Sequence, residues 1–165
     1  MNRETAQSII ARALAFAGPL AFSLAIASGL PKFREQRQRY FTQATMDGNL
    51  SRMRLLHFAG ANINSRGNGS RPLFVAASEG RSDVVRYLLA EGADVNAREK
   101  LGDTALMEAT YYGHLALVKQ LLLSGAEVNA LGNRGTPLDI AIDKTNADVV
   151  DLLKHYGGKR ASELR

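Results

Sequence analysis

The chain of 165 residues contains no cysteine. Disulfide bonds, thiolate zinc sites and a cysteine nucleophile are therefore excluded, because each of them needs a cysteine thiol. The three histidines, His57, His114 and His155, lie far apart in the sequence. A single histidine without an orienting partner makes a poor catalyst. The sequence thus predicts no metal site and no catalytic histidine.

The sequence patterns of other catalytic sites are also missing. Ser51, Ser78 and Ser124 do not lie in G-x-S-x-G, the turn that exposes a nucleophilic serine. Residues 67–69, Gly-Asn-Gly, are not followed by the G-K-S/T of a phosphate-binding loop, and they indicate a loop between structural units. The acidic residues are scattered along the chain. We therefore expect no enzyme activity, no catalytic residue and no cofactor.

The chain has only a mild excess of positive charge. Its formal net charge is +5, and it lacks the blocks of like charge that indicate a disordered basic tail. Arg66, Arg71, Arg98, Lys100 and Arg134 fall near the expected loops and could contact nucleic acid. Nucleic-acid binding is disfavoured, because the basicity is modest and aromatic residues are not interleaved with these side chains.

Charge is absent from one long stretch near the N-terminus. Residues 13–30, ALAFAGPLAFSLAIASGL, contain no charged side chain. A helix that spans a bilayer needs roughly 20 mostly apolar residues, with a lower limit of about 17. Pro19 lies inside the run, and a membrane helix tolerates proline because neighbouring groups satisfy the freed carbonyl. We assign residues 1–31 to a signal peptide or a single membrane-anchor helix.

The sequence leaves three interpretations of this segment open. A cleaved secretory signal is one, because Ala25-Ile26-Ala27 matches an A-x-A cleavage site. An uncleaved anchor is the leading one, because the run exceeds the usual apolar core of about 7–15 residues. Residues 32–39, with four basic side chains and one glutamate, also favour retention on the cytoplasmic side, although two arginines upstream oppose it. A buried soluble helix is the third.

The basic residues 32–39 could contact anionic lipid headgroups if the preceding segment spans a membrane. A solvated first helix is the alternative interpretation. The predicted location is therefore membrane-anchored, with periplasmic or secreted protein after cleavage near Ala27 as the alternative.

Two kinds of string recur in the rest of the chain. RPLFVA, TALMEA and TPLDIA begin at Arg71, Thr104 and Thr136, with spacings of 33 and 32 residues. A second string, LLAEGADVN at residues 88–96, recurs as LLLSGAEVN at residues 121–129. An earlier copy lies further upstream, at residues 55–64. Because both strings recur at matched offsets, they indicate a repeat architecture.

This pattern resembles the ankyrin repeat, which has a period of about 33 residues and the signature T-P-L-H-x-A. The resemblance covers residues 39–165 and places repeats at about 39–66, 67–99, 100–132 and 133–165. It implies an all-α domain over residues 32–165, a solenoid of helix-turn-helix units joined by β-turn or hairpin loops. One repeat cannot bury its own apolar face, so its stability comes from stacking on its neighbours.

Residues typical of helix ends occur at fixed offsets in these strings. Thr104 and Thr136 precede a first helix and can cap it. Prolines 72 and 137 fall in the first turn, where a helix tolerates proline. Left-handed helix ends are expected at four recurring glycines, which are Gly80, Gly92, Gly113 and Gly125.

The chain also departs from the family pattern. The signature histidine is replaced by Phe74, Met107 and Asp139, and the signature threonine of the second repeat is Arg71. The hydrogen bonds that these side chains usually supply are therefore altered, and we expect reduced stability or local adjustment near the second repeat. The fourth repeat has Thr145 where a glycine is expected, as suits an end cap.

The resemblance implies that a concave surface binds another protein, through hairpin tips and through the end of each first helix. At the tips the predicted contact residues are Asn68, Ser70, Lys100, Leu101, Asp103 and Asn133, and on the helices they are Ser78, Glu79, Tyr111, Tyr112, Asp143 and Lys144. The two tyrosines are the strongest candidates, because the core does not need them and tyrosine is enriched at binding hot spots. The alternative is that one of them packs against a neighbouring repeat.

The leading functional hypothesis is a protein-interaction scaffold, tethered to a membrane through residues 13–30 or exported. The alternative is a regulatory or inhibitory subunit of an enzyme supplied by another chain. A decoy that blocks a target is a third possibility.

Overall fold

The computed structural model describes residues 31–164, with side chains from residue 34 onward. The predicted signal or anchor segment lies outside this range except for Pro31. The described part forms eight α-helices and one 3₁₀ turn, and its only β-type pairings are two isolated bridges in loops. The all-α prediction is confirmed. The helices are α1 Pro31–Met46, α2 Leu50–Phe58, α3 Pro72–Ser78, α4 Ser82–Ala90, α5 Ala105–Tyr111, α6 Leu115–Leu123, α7 Pro137–Asp143 and α8 Ala147–His155, and the 3₁₀ turn is Ala161–Glu163.

The helices pack as four successive pairs, α1 with α2, α3 with α4, α5 with α6 and α7 with α8. The first helix of each pair contacts the first helix of the next, and α4, α6 and α8 contact one another in series. Ala76, Ala109 and Ala141 are fully buried between first helices, where a small side chain allows close approach. The larger apolar cluster runs from Phe41 to Leu153, and a smaller one contains Met107, Ala130 and Ile140. None of the helices in residues 31–164 is both long and apolar enough to cross a bilayer.

The helix ends follow the sequence pattern. The Thr104 and Thr136 hydroxyls accept from the backbone N–H groups of Met107 and Asp139. The four glycines predicted to end helices all have positive φ. Thr145, which replaces a glycine, also has a φ of 53°. This conformation costs a non-glycine residue roughly 1–2 kcal/mol.

One asparagine in each of three repeats joins that unit to the next. Its side-chain NH₂ donates to a glycine carbonyl of the next unit at 3.1 Å. Its side-chain oxygen accepts from the backbone N–H of the residue two positions after that glycine. The three bridges are Asn64 with Gly92 and Asp94, Asn96 with Gly125 and Glu127, and Asn129 with Gly157 and Lys159. The repeated geometry holds the ends of adjacent second helices at a constant spacing.

A glutamate from the loop after α4 supplies the contact that the second unit lacks at its first helix. Arg71 makes no side-chain cap at the start of α3. The Glu99 carboxylate instead accepts a hydrogen bond from the Arg71 backbone N–H at 3.0 Å. Its other oxygen accepts from Arg66 Nε at 3.0 Å. The local adjustment expected near the second unit is therefore a cap supplied by the loop that follows α4.

Asp139, in the position of the signature histidine, connects α7 to the C-terminal segment. It forms a capping box with Thr136 and also accepts from the Ala161 N–H at 2.9 Å and from Arg160 Nε at 3.0 Å. Partial burial acts to raise the pKa of Asp139. The hydrogen bonds from Ala161, Arg160 and Thr136 outweigh this effect and lower the pKa to about 2. The replacement of histidine thus produces a new anchor for the chain end.

We expect Asp139 to make the stability of the fold depend on pH in acid. The folded-state pKa of Asp139 is about 2, below the value of about 3.9 for an unfolded aspartate. Its ionised form therefore stabilises the fold above about pH 4, by at most about 3 kcal/mol, and this contribution is lost as the pH falls through about 2. Asp139→Asn should flatten the free energy of unfolding over that interval, as measured by urea titrations followed by circular dichroism. The control is Asp151→Asn, which alters an exposed acid of α8; equal slopes for the two variants would contradict the assignment.

Candidate protein-binding surface

Two adjacent tyrosines lie at the end of α5. Tyr112 is 54% exposed, and its ring meets that of Tyr111 edge to face at 5.1 Å between centroids. The Tyr112 ring also stacks on His114 at 6.0 Å. His114 Nε2 lies 3.2 Å from the Ser78 carbonyl of the preceding unit. Tyr112 is therefore an exposed aromatic ring that stacks on His114, and His114 in turn contacts the preceding unit.

Tyr111 is held more tightly than Tyr112. Its half-buried ring packs against Met107, Ala130 and Ile140. Lys144 Nζ lies 3.7 Å from the ring centroid, and the Arg134 guanidinium carbon lies 4.6 Å from it. Cations at such distances are attracted to the electron-rich face of an aromatic ring. Tyr111, Tyr112, Arg134 and Lys144 form one group, which we call the tyrosine patch.

Arg134, which is part of the tyrosine patch, also pairs with two buried acids. Its Nε lies 3.2 Å from Asp103 Oδ2, and its Nη2 lies 2.5 Å from Glu108 Oε2. Asp103 and Glu108 are only 7% and 9% exposed. Burial acts to lower the pKa of Arg134, but the hydrogen bond and charge of Glu108, followed by those of Asp103, outweigh burial and raise it. The guanidinium therefore stays charged and fixes the loop against α5.

Two exposed leucines lie at the adjacent loop tips. Leu101 is 67% exposed and Leu131 is 56% exposed. The two tips are joined by a hydrogen bond from the Asn133 N–H to the Leu101 carbonyl at 3.1 Å. The two exposed leucines therefore lie on connected tips, next to the loop that carries Arg134 of the tyrosine patch.

A family model described as ankyrin repeats, in three copies, matches residues 41–132 and 101–162. The chain belongs to the ankyrin-repeat family. The predicted fold, a solenoid of stacked ankyrin units, is therefore confirmed. The general role of ankyrin repeats is protein interaction, and the chain is a protein-interaction module in that general sense. The predicted repeat boundaries remain a prediction.

Known proteins match this chain over short segments. E3 ubiquitin-protein ligase XBAT33 of Arabidopsis thaliana is 46% identical over 54 residues, which are 33% of this chain and 10% of that protein. Protein phosphatase 1 regulatory subunit 27 of Homo sapiens is 42% identical over 62 residues, which are 37% of this chain and 40% of that protein. FYVE zinc finger domain protein UPA1 of Mycosarcoma maydis is 39% identical over 61 residues, 36% of this chain and 5% of that protein. The matched segments thus make up less than half of each relative.

The structure separates the predicted contact residues into three groups. Most are exposed, namely Asn68, Glu79, Lys100, Leu101, Tyr112, Asn133, Asp143 and Lys144. Ser70, Ser78 and Tyr111 are half-buried. Asp103 is buried and paired with Arg134, so it acts within the fold and is not displayed at the loop tip. The packing of Tyr111 matches the alternative considered for one tyrosine.

Sequence reasoning missed Glu108, Arg134 and Leu131 as parts of this surface. Glu108 gave a readable signal, since it is a charged residue on a short helix whose neighbours are apolar or small. Arg134 was considered only for nucleic acid, because its partners lie 26 and 31 residues away along the chain. Leu131 lies in a loop, where periodicity gives no information about exposure.

The loop arginines are engaged within the protein. Arg66 and Arg71 pair with Glu99, at 3.0 and 3.6 Å, and Arg98 pairs with Glu127 at 3.2 Å. The Arg66 and Arg98 pairs join neighbouring repeats, and the Arg71 pair lies within the second repeat. These contacts offset part of the positive charge that nucleic-acid binding would use. Within the described residues, no group of three histidine, aspartate or glutamate side chains is placed to hold a metal ion.

We expect Arg134→Met to destabilise the protein strongly. The substitution keeps much of the side-chain volume but leaves Asp103 and Glu108 buried without their guanidinium. Removing one partner of a buried ion pair costs about 3–5 kcal/mol, and because Arg134 is 28% exposed we expect a loss near about 3 kcal/mol. Urea unfolding at neutral pH measures this loss. Arg86→Met, at an exposed position of α4, is the matched control, and similar losses in both variants would contradict a structural role for Arg134.

Proposed function

We propose that this ankyrin module binds another protein through a concave surface that contains the tyrosine patch and the two leucine tips. The observation that carries the proposal is Tyr112, which is 54% exposed beside the packed Tyr111 ring. A rigid aromatic side chain contributes contact area at low entropic cost, and tyrosine is enriched at interface hot spots. Tyr111 and His114 hold the Tyr112 ring before a partner binds, and this reduces the entropy lost on binding.

The surroundings of the tyrosines favour a partner with both apolar and polar groups. Leu101 and Leu131 offer apolar contacts at the tips. Exposed Glu79, Asp143 and Lys144 offer charges of both signs near the helix ends. A partner would therefore place apolar side chains between the loop tips and polar groups beside Tyr112.

Changing both Tyr111 and Tyr112 to alanine should weaken partner binding by about 2 kcal/mol or more, roughly a thirtyfold loss of affinity. The measurement is capture of the partner from native extract, followed by titration of the purified complex. Circular dichroism should show an unchanged helical signal.

Tyr112→Ala alone serves as a second variant, because it removes the exposed ring and leaves the packing of Tyr111 against its buried apolar neighbours in place. Phe58→Ala is the matched control, because Phe58 is an exposed aromatic residue on a different helix, α2. Full affinity in both tyrosine variants would contradict the proposal.

A second candidate function is regulation of an enzyme on another chain. It is supported by the 42% identity with protein phosphatase 1 regulatory subunit 27 over 62 residues. The captured partner separates the two candidates. A partner enzyme whose turnover changes when the full chain is added would favour regulation, and a partner without such an effect would favour a scaffold.

We also propose that residues 13–30 tether the module to a membrane. The support is the uncharged run itself, which is close to the length of a bilayer span. The basic residues that follow it also favour an anchor. Flotation of the full chain on neutral phosphatidylcholine vesicles is the direct readout, and a chain that stays in the aqueous phase would contradict tethering. A native chain that starts at Ser28 would support the exported alternative.

A further inference from the structure

An open groove of about 970 Å³ lies between α1 and the loop of residues 60–69. Gln38 joins its two walls. The buried Gln38 side chain donates to the carbonyls of Asn62 and Ser65, at 2.9 and 3.1 Å, and accepts from the Asn62 N–H at 3.0 Å. At Gly67 the loop lies so close to Thr42 that a β-carbon would not fit. The shape of the groove is therefore fixed by the fold of the first unit.

The lining of the groove is strongly positive. The lining contains one acid, Glu35, and four arginines, which are Arg34, Arg37, Arg39 and Arg66. The formal charge of the lining side chains is therefore +3. Glu99 offsets part of this charge, because it pairs with Arg66 at 3.0 Å. Arg34 and Arg39 are exposed on α1. A concave site lined by one sign of charge concentrates ligands of the opposite sign.

The position of the groove in the chain indicates which anion it meets. The uncharged residues 13–30 end directly before α1, which begins at Pro31. A segment of that length in a bilayer would place the arginines of α1 close to the lipid headgroups.

We propose that this groove binds the phosphate headgroups of anionic lipids and so holds the first ankyrin unit against the membrane surface. The inference rests on the proposed tethering by residues 13–30. Binding of headgroups in the groove would fix the orientation of the solenoid relative to the bilayer. Tethering by a single segment would leave that orientation free.

A single-cysteine reporter tests the proposal in the full chain, because the natural sequence contains no cysteine. Ser65→Cys places an environment-sensitive dye on the groove wall, and Ser162→Cys places the same dye in the exposed C-terminal turn. Each labelled chain is mixed with vesicles of phosphatidylcholine alone or with about one-third phosphatidylglycerol. Flotation of the same samples reports tethering separately.

The groove dye should respond on anionic vesicles and not on neutral ones, and the dye at residue 162 should not respond on either. Arg34→Gln with Arg39→Gln should weaken groove contact about thirtyfold, at roughly fivefold for each basic residue near an anionic surface. The matched control, Arg86→Gln with Lys119→Gln, removes two exposed charges from α4 and α6 and should keep the response. High salt should abolish it.

Equal dye responses on neutral and anionic vesicles, or an unchanged response in the Arg34 and Arg39 variant, would overturn the groove assignment. Full competition by inorganic phosphate at matched ionic strength would also overturn it, because it would indicate a site for small anions. A chain that does not float on neutral vesicles contradicts tethering instead, so the two failures are distinguishable.

Discussion

Stacking of each helix pair on the next is the interaction on which the rest of this structure depends. A pair of short helices cannot bury its own apolar face, and the fold gains stability only as neighbours cover one another. The small side chains of Ala76, Ala109 and Ala141 allow the first helices to approach closely. The asparagine bridges then hold the other side of the stack at the same spacing. The candidate binding surface is held in place by this arrangement.

Where the chain departs from the family pattern, charged residues replace the missing contacts. Glu99 caps the helix that lacks its threonine, and Asp139 anchors the C-terminal segment from the position of the signature histidine. Arg134, a member of the tyrosine patch, pairs with buried Asp103 and Glu108. Each of these contacts joins segments that are distant in the sequence, and the Arg134 pairs also join the third repeat to the fourth.

The sequence predicted the parts of the fold that depend on local chemistry. Thr104 and Thr136 cap their helices as expected, and the recurring glycines adopt left-handed conformations because only a residue without a side chain does so at little cost. The sequence indicates the two tyrosines as contact residues from their position at the end of a first helix and from the enrichment of tyrosine at interfaces. Which of them is exposed could not be predicted, because it depends on packing against Ile140 of the next repeat.

Contacts between repeats were the part that sequence reasoning could not supply. Asp103 was expected at an exposed tip, but it pairs with Arg134 from the following loop. The spacing between repeats gives the order of these residues and not the direction of their side chains. The groove on α1 was visible in the sequence only as a basic run, because its second wall comes from residues 60–69.

The central claim is that a protein partner lies against Tyr112. Its most direct test is a photo-crosslinking amino acid placed at position 112 of the full chain in its native cells, with the same group placed at Leu123 as the control. Leu123 is 68% exposed at the end of α6. The account predicts a discrete protein adduct from position 112 and none from position 123. The same adducts from both positions, or none from position 112, would contradict it.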